Sequence, residues 1–327
     1  MRTPSSSETA VRTAANAPDL IGSTPMVELS RFARGAARVF AKLEWYNPGG
    51  SVKDRIARAM IDDAQARGLL QPGGTIVEAT SGNTGVAVAV VAAARGYRCV
   101  IVMPEGYGAV KAKLIAAAGA EIVWTKADAK IAGAIARAEE IVRATAGAFQ
   151  PSQFHNPANP RAHYETTGPE IAEQIGGRID AWVAGVGTTG TFTGVARYLS
   201  QRHPGILRVA VEPQGSILGG GEPGPHDVEG IGLSQLWPIL DRSLIDEVMA
   251  IGDAESFATC RTLAREEGLF VGGSSGTAAA AALRIARRLG PEKIVVTLFP
   301  DGAERYPDKG ILNESSTQQA GDTSHGV

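Results

Sequence analysis

Only two cysteines, Cys99 and Cys260, occur among the 327 residues, each in an apolar stretch and without metal-ligand spacing. A disulfide-stapled scaffold is therefore excluded, and the pair reads as buried and reduced, as expected of a cytoplasmic protein. Histidine is also scarce. Five are present, none at metalloenzyme spacing, so no metal site is expected. Neither sign of charge dominates: 32 basic residues face 34 acidic ones, for a net charge of -2. No polybasic run offers a footprint for nucleic acid, and no acidic run offers a solvating tail. The longest apolar run, Val86 to Ala94, stops at Arg95 and is far too short to span a membrane. Residues 1–17 lack a hydrophobic signal core, and they and residues 314–327 read as disordered tails.

What is present is alternation. A chain of 327 residues exceeds one typical core and predicts two lobes. Strand-like segments at 38–43, 75–80, 98–103 and 121–124 alternate with helical ones at 84–94, 110–118 and 129–145. After a Pro-, Asn- and Gln-rich crossing at 150–161 the pattern resumes. Strands are expected at 181–186, 208–212 and 293–298, and helices at 193–201, 256–267 and 277–289. This is the signature of an α/β fold with a largely parallel sheet. The glycine-rich stretch from Gly215 to Gly232 has too many turn residues for regular structure and reads as a functional loop.

Three small-residue turns lie between a strand-like segment and a helix: Thr80-Ser81-Gly82-Asn83-Thr84-Gly85, Gly185-Val186-Gly187-Thr188-Thr189-Gly190-Thr191, and Gly272-Gly273-Ser274-Ser275-Gly276. Free backbone N–H groups and hydroxyls at such junctions suit a carboxylate or phosphate. Taken singly, each is also an ordinary helix start. The second satisfies the dinucleotide fingerprint Gly-x-Gly-x-x-Gly, with Glu212 near the place of a ribose-binding acid. An NAD(P)-dependent oxidoreductase therefore stands as a reading from a different class. A fourth feature is Asn47-Pro48-Gly49-Gly50-Ser51-Val52-Lys53-Asp54-Arg55, where Ser51 reads as a helix cap and Lys53 falls in the first helical turn. The helix N-terminus should depress the pKa of this amine and favour its use as a nucleophile, with Asp54 opposing the effect.

Together these segments resemble the cysteine synthase (O-acetylserine sulfhydrylase) family, part of the pyridoxal-phosphate β-family that includes cystathionine β-synthase. The likeness runs from Ile21-Gly22-Ser23-Thr24-Pro25 through Gln153-Phe154-His155-Asn156-Pro157 and Thr166-Thr167-Gly168-Pro169-Glu170 to Pro300-Asp301-Gly302-Ala303-Glu304-Arg305-Tyr306. It implies a two-lobed, tryptophan synthase β-like fold of type II, each lobe a largely parallel sheet flanked by helices. Residues 48–156 would form a smaller mobile lobe that binds the substrate carboxylate. Residues 18–47 and 157–313 would form the larger lobe that binds the cofactor phosphate. By position, Lys53 would be the imine-forming lysine and general base, and Asn83 would bond the phenolic oxygen of pyridoxal 5'-phosphate. Gly187, Thr188, Thr189, Gly190 and Thr191 would hold its phosphate, and Ser274 would face its ring nitrogen. Thr80, Ser81, Thr84 and Gln153 would bind the amino-acid carboxylate. The implied reaction is β-replacement on O-acetyl-L-serine by sulfide through an aminoacrylate. A homodimer and a complex with serine acetyltransferase are implied as well.

The chain departs from the family pattern in places. Glu105-Gly106-Tyr107-Gly108-Ala109-Val110-Lys111-Ala112-Lys113 replaces a Met-Ser pair followed by charged residues near the substrate entrance, and its two glycines should loosen that loop. Thr189 stands where many members have glycine. These changes leave O-phosphoserine as donor, and thiosulfate, homocysteine or an amine as nucleophile, open as alternatives.

Overall fold

The computed structural model describes residues 13–80, 82–106 and 108–313. The tail at 314–327 lies outside the described residues, as do Ser81, Tyr107 and the first twelve residues of the tail at 1–17. Among the described residues the strands are β1 Met26–Glu28, β2 Arg38–Leu43, β3 Thr75–Ala79, β4 Arg98–Pro104, β5 Glu121–Thr125, β6 Ala181–Gly185, β7 Leu207–Pro213, β8 Glu247–Ile251 and β9 Ile294–Phe299. The helices are α1 Lys53–Ala66, α2 Asn83–Arg95, α3 Ala109–Ala117, α4 Lys130–Ala144, α5 Ala158–Ala162, α6 Gly168–Ile175, α7 Gly190–Arg202, α8 Asp253–Glu267 and α9 Gly273–Leu289. No regular helix or strand interrupts residues 214–241, where the glycine-rich loop was expected.

The strands form two sheets. One has six strands in the order β1-β2-β9-β6-β7-β8, and the other has three in the order β3-β4-β5. Every pairing is parallel except β1 with β2. An antiparallel strand at the edge of a parallel sheet is a common addition to α/β folds. The central strands are buried on both faces, which is why β4, Arg-Cys-Val-Ile-Val-Met-Pro, is apolar without alternation. Helix α2 is buried nearly all round, and its Val, Ala and Gly side chains let it sit between α1, α3 and the three-stranded sheet. The alanine-rich α9 similarly packs closely on α8, β9 and β6.

Three departures from the sequence reading are local. Strands β1 and β8 are short and half-exposed, so neither carries a strong apolar signal. The expected crossing at 150–161 already enters α5, followed by a five-residue π-helical turn at His163–Thr167 and then α6. A buried charge network joins these elements to α1. The Arg55 guanidinium donates to both carboxylate oxygens of Glu44 at 2.7 and 2.9 Å and to those of Glu170 at 2.7 and 2.8 Å. Lys42, fully buried on β2, donates to the Thr24 carbonyl at 2.6 Å and pairs with Glu170 at 2.7 Å. Burial alone would raise the Glu170 carboxyl, but its bonds from Arg55 and Lys42 bring it down to about 2.

Candidate active site

The Asn47–Arg55 stretch forms a tight turn that delivers Lys53 to the first position of α1. Asn47 ties the turn together, accepting from Gly22 N–H at 2.8 Å and donating to the carbonyls of Glu44 and Ser51 at 2.9 and 3.2 Å. Gly50 has φ of +74°, a conformation that favours glycine. Val52 directly precedes the helix, so Ser51 is not the capping residue proper. Its hydroxyl nevertheless accepts the Lys53 N–H at 3.2 Å.

The Lys53 amine is held below the ordinary lysine range, as the sequence predicts, but for a different main reason. Desolvation in the cleft dominates, opposed by the charges of Asp301 and Glu44. Asp54 does not play the opposing part expected of it. Its carboxylate turns back to accept from Gly49 N–H, and burial pushes its own pKa up to about 7 against that bond.

A cleft of about 200 Å³ is lined by Lys53, Thr80, Asn83, Thr84, Gln153, Gly187 and Thr188. A recess next to it is lined by Lys53, Gly187, Thr188, Thr189 and Thr191. Tertiary folding thus brings the first two turns to one lysine. Thr84 donates to Gln153 at 2.6 Å from 69 positions away in sequence, and Thr80 accepts the Gly82 N–H at 3.0 Å. Ser274, by contrast, lines neither space and is buried in the first turn of α9. Ser81 lies outside the described residues.

The recess suits a phosphate. Thr189 holds φ of +74°, unusual for a non-glycine residue, and strain there amounts to about 1–3 kcal/mol. A glycine would hold that conformation without strain. The buried Thr189 hydroxyl has no partner among the described residues. A Cβ on Gly190 would lie 1.9 Å from Asn159 Oδ1, and one on Gly187 would lie 2.3 Å from the Gly230 carbonyl. Those contacts pack the turn tightly, and the start of α7 at Gly190 beside an unbonded hydroxyl fits an anionic group that arrives from outside.

Asp301, Arg305 and Tyr306 join the site without a role in the sequence reading, and they surround Asn83, to which the resemblance gives a part at the cofactor. Asn83 donates to Asp301 at 2.5 Å and accepts from Arg305 at 2.9 Å, so its amide is held in place by that pair. Arg305 also donates to the Gly49 carbonyl, and Tyr306 donates to Asp301 at 2.5 Å. Lys111, from the divergent loop, is buried, pairs with Glu229 at 2.8 Å and sits 4.1 Å above the Tyr306 ring. The loop therefore leads into a tethered helix, α3. For Asp301, Arg305 and Tyr306 the sequence signal is the Pro300–Tyr306 segment, which carries resemblance without roles, and for Lys111 it is the divergent stretch at 105–113. Glu212 is a correction: its carboxylate accepts from the N–H groups of Leu218 and Gly219, both at 2.8 Å, and braces the glycine-rich loop. It is not poised to bind a ribose.

Behind the cleft, buried Glu78 accepts from Ser152 and Gln153 N–H at 2.8 and 3.2 Å. Burial pushes its carboxyl up to about 7 despite those bonds. A carboxyl raised on folding contributes stability that is complete below its unfolded pKa of about 4.5 and is lost as pH rises through 7. Wild-type protein should therefore lose about 3 kcal/mol between pH 4.5 and 8 from this group, and Glu78→Gln should lose correspondingly less. Urea unfolding across that range checks it; parallel slopes for the two proteins would refute the assignment.

Among the described residues no helix is long and apolar enough to cross a membrane, and no His, Cys, Asp or Glu cluster could hold a metal ion. Both cysteines are free and buried, and burial pushes each thiol up to about 12.

Comparison with known proteins places this geometry. Residues 17–301 match the family model described as pyridoxal-phosphate dependent enzyme. A cysteine synthase of Staphylococcus aureus (strain Mu50 / ATCC 700699) is 47% identical over 294 residues, covering 89% of this chain and 94% of the relative. The crystal structure of an O-acetylserine dependent cystathionine β-synthase from Helicobacter pylori superposes with a TM-score of 0.87 at 42% identity, covering 92% of this chain and 99% of the other. That of an O-ureido-L-serine synthase gives a TM-score of 0.89 at 41% identity, covering 94% and 99%. With a match over most of its length, and a desolvated lysine beside the Gly187–Thr191 recess, the chain belongs to the pyridoxal-phosphate dependent enzymes.

Proposed function

We propose that the protein catalyses β-replacement on an activated L-serine, converting O-acetyl-L-serine and sulfide to L-cysteine and acetate. The observation that carries this reading is the Lys53 amine, desolvated at the junction of a carboxylate-type turn and a phosphate-type recess. The relatives named above, which include a cysteine synthase and an O-acetylserine dependent enzyme, support the same donor and nucleophile. Pyridoxal phosphate, when bound, supplies an electron sink conjugated to the substrate's α-carbon. Backbone N–H groups of Gly187 to Thr191 and the Thr189 hydroxyl would hold its phosphate. Asn83 would meet its ring, and the resemblance would give Ser274 the ring nitrogen, although its side chain lines neither the cleft nor the recess.

The residues of the chain do the rest. Thr80, Ser81, Thr84 and Gln153 would bind the substrate carboxylate and aim the α-hydrogen at Lys53. The lysine, its pKa lowered by desolvation, removes that proton as general base, and acetate leaves from the β-carbon. Sulfide then forms the new bond at the β-carbon, and Lys53 returns the proton to the α-carbon. Closure of residues 48–156 over the carboxylate would exclude water, which otherwise competes with sulfide. The buried, high-pKa thiols fit a cytoplasmic location. A homodimer would cover the exposed rings of Tyr46 and Phe270. A complex with serine acetyltransferase rests on the family resemblance alone.

Sulfide is separable from the alternatives by one experiment. Holoenzyme is mixed with O-acetyl-L-serine, and the resulting change in cofactor absorbance is followed after adding sulfide, thiosulfate, homocysteine or an amine. Sulfide is expected to reverse it at least about tenfold faster than any other at equal concentration. A faster reversal by another nucleophile would transfer the assignment to that nucleophile, and O-phosphoserine in place of the acetyl ester tests the donor.

A further inference from the structure

His163 is fully buried and lies outside every role assigned so far. It opens the π-helical turn His163–Thr167, a rare element that is concentrated at functional sites. Its Nδ1 is 2.9 Å from the Thr167 hydroxyl, and its Nε2 is 3.1 Å from the hydroxyl of Thr191 in the phosphate-type recess. Helix α7 presses against it so closely that a Cβ on Gly194 would lie 2.7 Å from the His163 Cβ. The ring is thus fixed between two threonines. Burial and the charge of Arg55 bring its pKa down to about 3, so at working pH one ring nitrogen carries a proton and the other accepts one.

Which nitrogen holds the proton follows from satisfying buried groups. Thr167 is itself fully buried, and Nδ1 of His163 is the partner its hydroxyl has. A buried hydroxyl proton needs an acceptor, so Thr167 donates to Nδ1. The imidazole proton then sits on Nε2 and is donated to the Thr191 oxygen. With its oxygen already accepting, Thr191 has its own hydroxyl proton free to turn into the recess.

We propose that His163 is a positioning residue that fixes the Thr191 hydroxyl as a hydrogen-bond donor toward the cofactor phosphate. The opposite tautomer would draw the Thr191 proton toward the ring and present lone pairs to an anion. This rests on the reading of the recess as the phosphate site, and the test separates the two ideas. Full-length apoprotein is titrated with pyridoxal phosphate and with pyridoxal, which lacks the phosphate. His163→Leu is expected to weaken pyridoxal phosphate about 10- to 100-fold while changing pyridoxal by less than about threefold. His163→Gln, which can again place an N–H toward Thr191, should recover most of that loss. In a Thr191→Val background, His163→Leu should cause no further loss specific to the phosphate. Equal weakening of both ligands, or full additivity with Thr191→Val, would reduce His163 to a packing residue and overturn the proposal. Equal affinity of wild-type protein for the two ligands would remove the phosphate site itself, and the proposal with it.

Discussion

Lys53→Ala is expected to reduce turnover of O-acetyl-L-serine by at least about 10³-fold, the scale of a lost general base. It should also remove the visible absorbance that depends on a covalent bond between lysine and cofactor. The prediction is strong because desolvation in the cleft, more than any neighbouring charge, prepares this amine. The nearby Lys111 cannot replace it, since its ammonium is engaged with Glu229 and the Tyr306 ring. Folding should be little affected, because the substitution removes a group that the cleft desolvates at a cost. Circular dichroism and a thermal melt check that point, and steady-state rates with the absorbance spectrum check the first. A variant retaining more than about 1% of wild-type turnover would refute the role of Lys53 as base.

Arg55→Met is expected to destabilise the protein by about 3–5 kcal/mol, the cost of removing one partner from a buried ionic cluster. Glu44 has no exposed side-chain surface, and its bonds to Arg55 are what keep its carboxylate below the ordinary range against burial. Without the guanidinium, Glu44 and Glu170 would keep Lys42 as their one cationic partner in the cluster, with neutral donors from Thr24 and Asn47 to Glu44 and from the Ser23 N–H to Glu170. The pH dependence has a definite sign. Both carboxyls have lowered folded-state pKa values, so in wild-type protein their contribution is present above about pH 4.5 and lost as pH falls toward 2. In the variant the deficit should therefore be largest near pH 7 and shrink by pH 4. Urea unfolding at the two pH values measures it, and a deficit under about 1 kcal/mol at pH 7 would show that the cluster is not a structural anchor. Because Arg55 lies two residues beyond Lys53, some loss of catalytic rate should accompany the loss of stability.

Local chemistry made much of this protein legible before any fold was known. The strand–turn–helix junctions at Thr80–Gly85 and Gly185–Thr191, and the helix start at Lys53, follow from periodicity and turn residues within a few positions of each other. Short, half-exposed β1 and β8 left no comparable mark. The helix terminus gives the direction of the Lys53 pKa shift but not its largest cause, because desolvation depends on everything packed around the amine. Glu212 satisfied a motif spacing, yet its carboxylate braces a loop.

The sequence by itself determined the parts: a lysine on a helix start, two anion-type turns and an alternating α/β frame. Only the tertiary structure decided which parts meet. Asn83 reaches Asp301 across 218 positions, and His163 reaches Thr191 across 28. Such meetings are set by strand order, by β9 inserting between β2 and β6, and by α7 closing over the π-helical turn. No local pattern encodes them, because each is the result of burying many distant side chains at once.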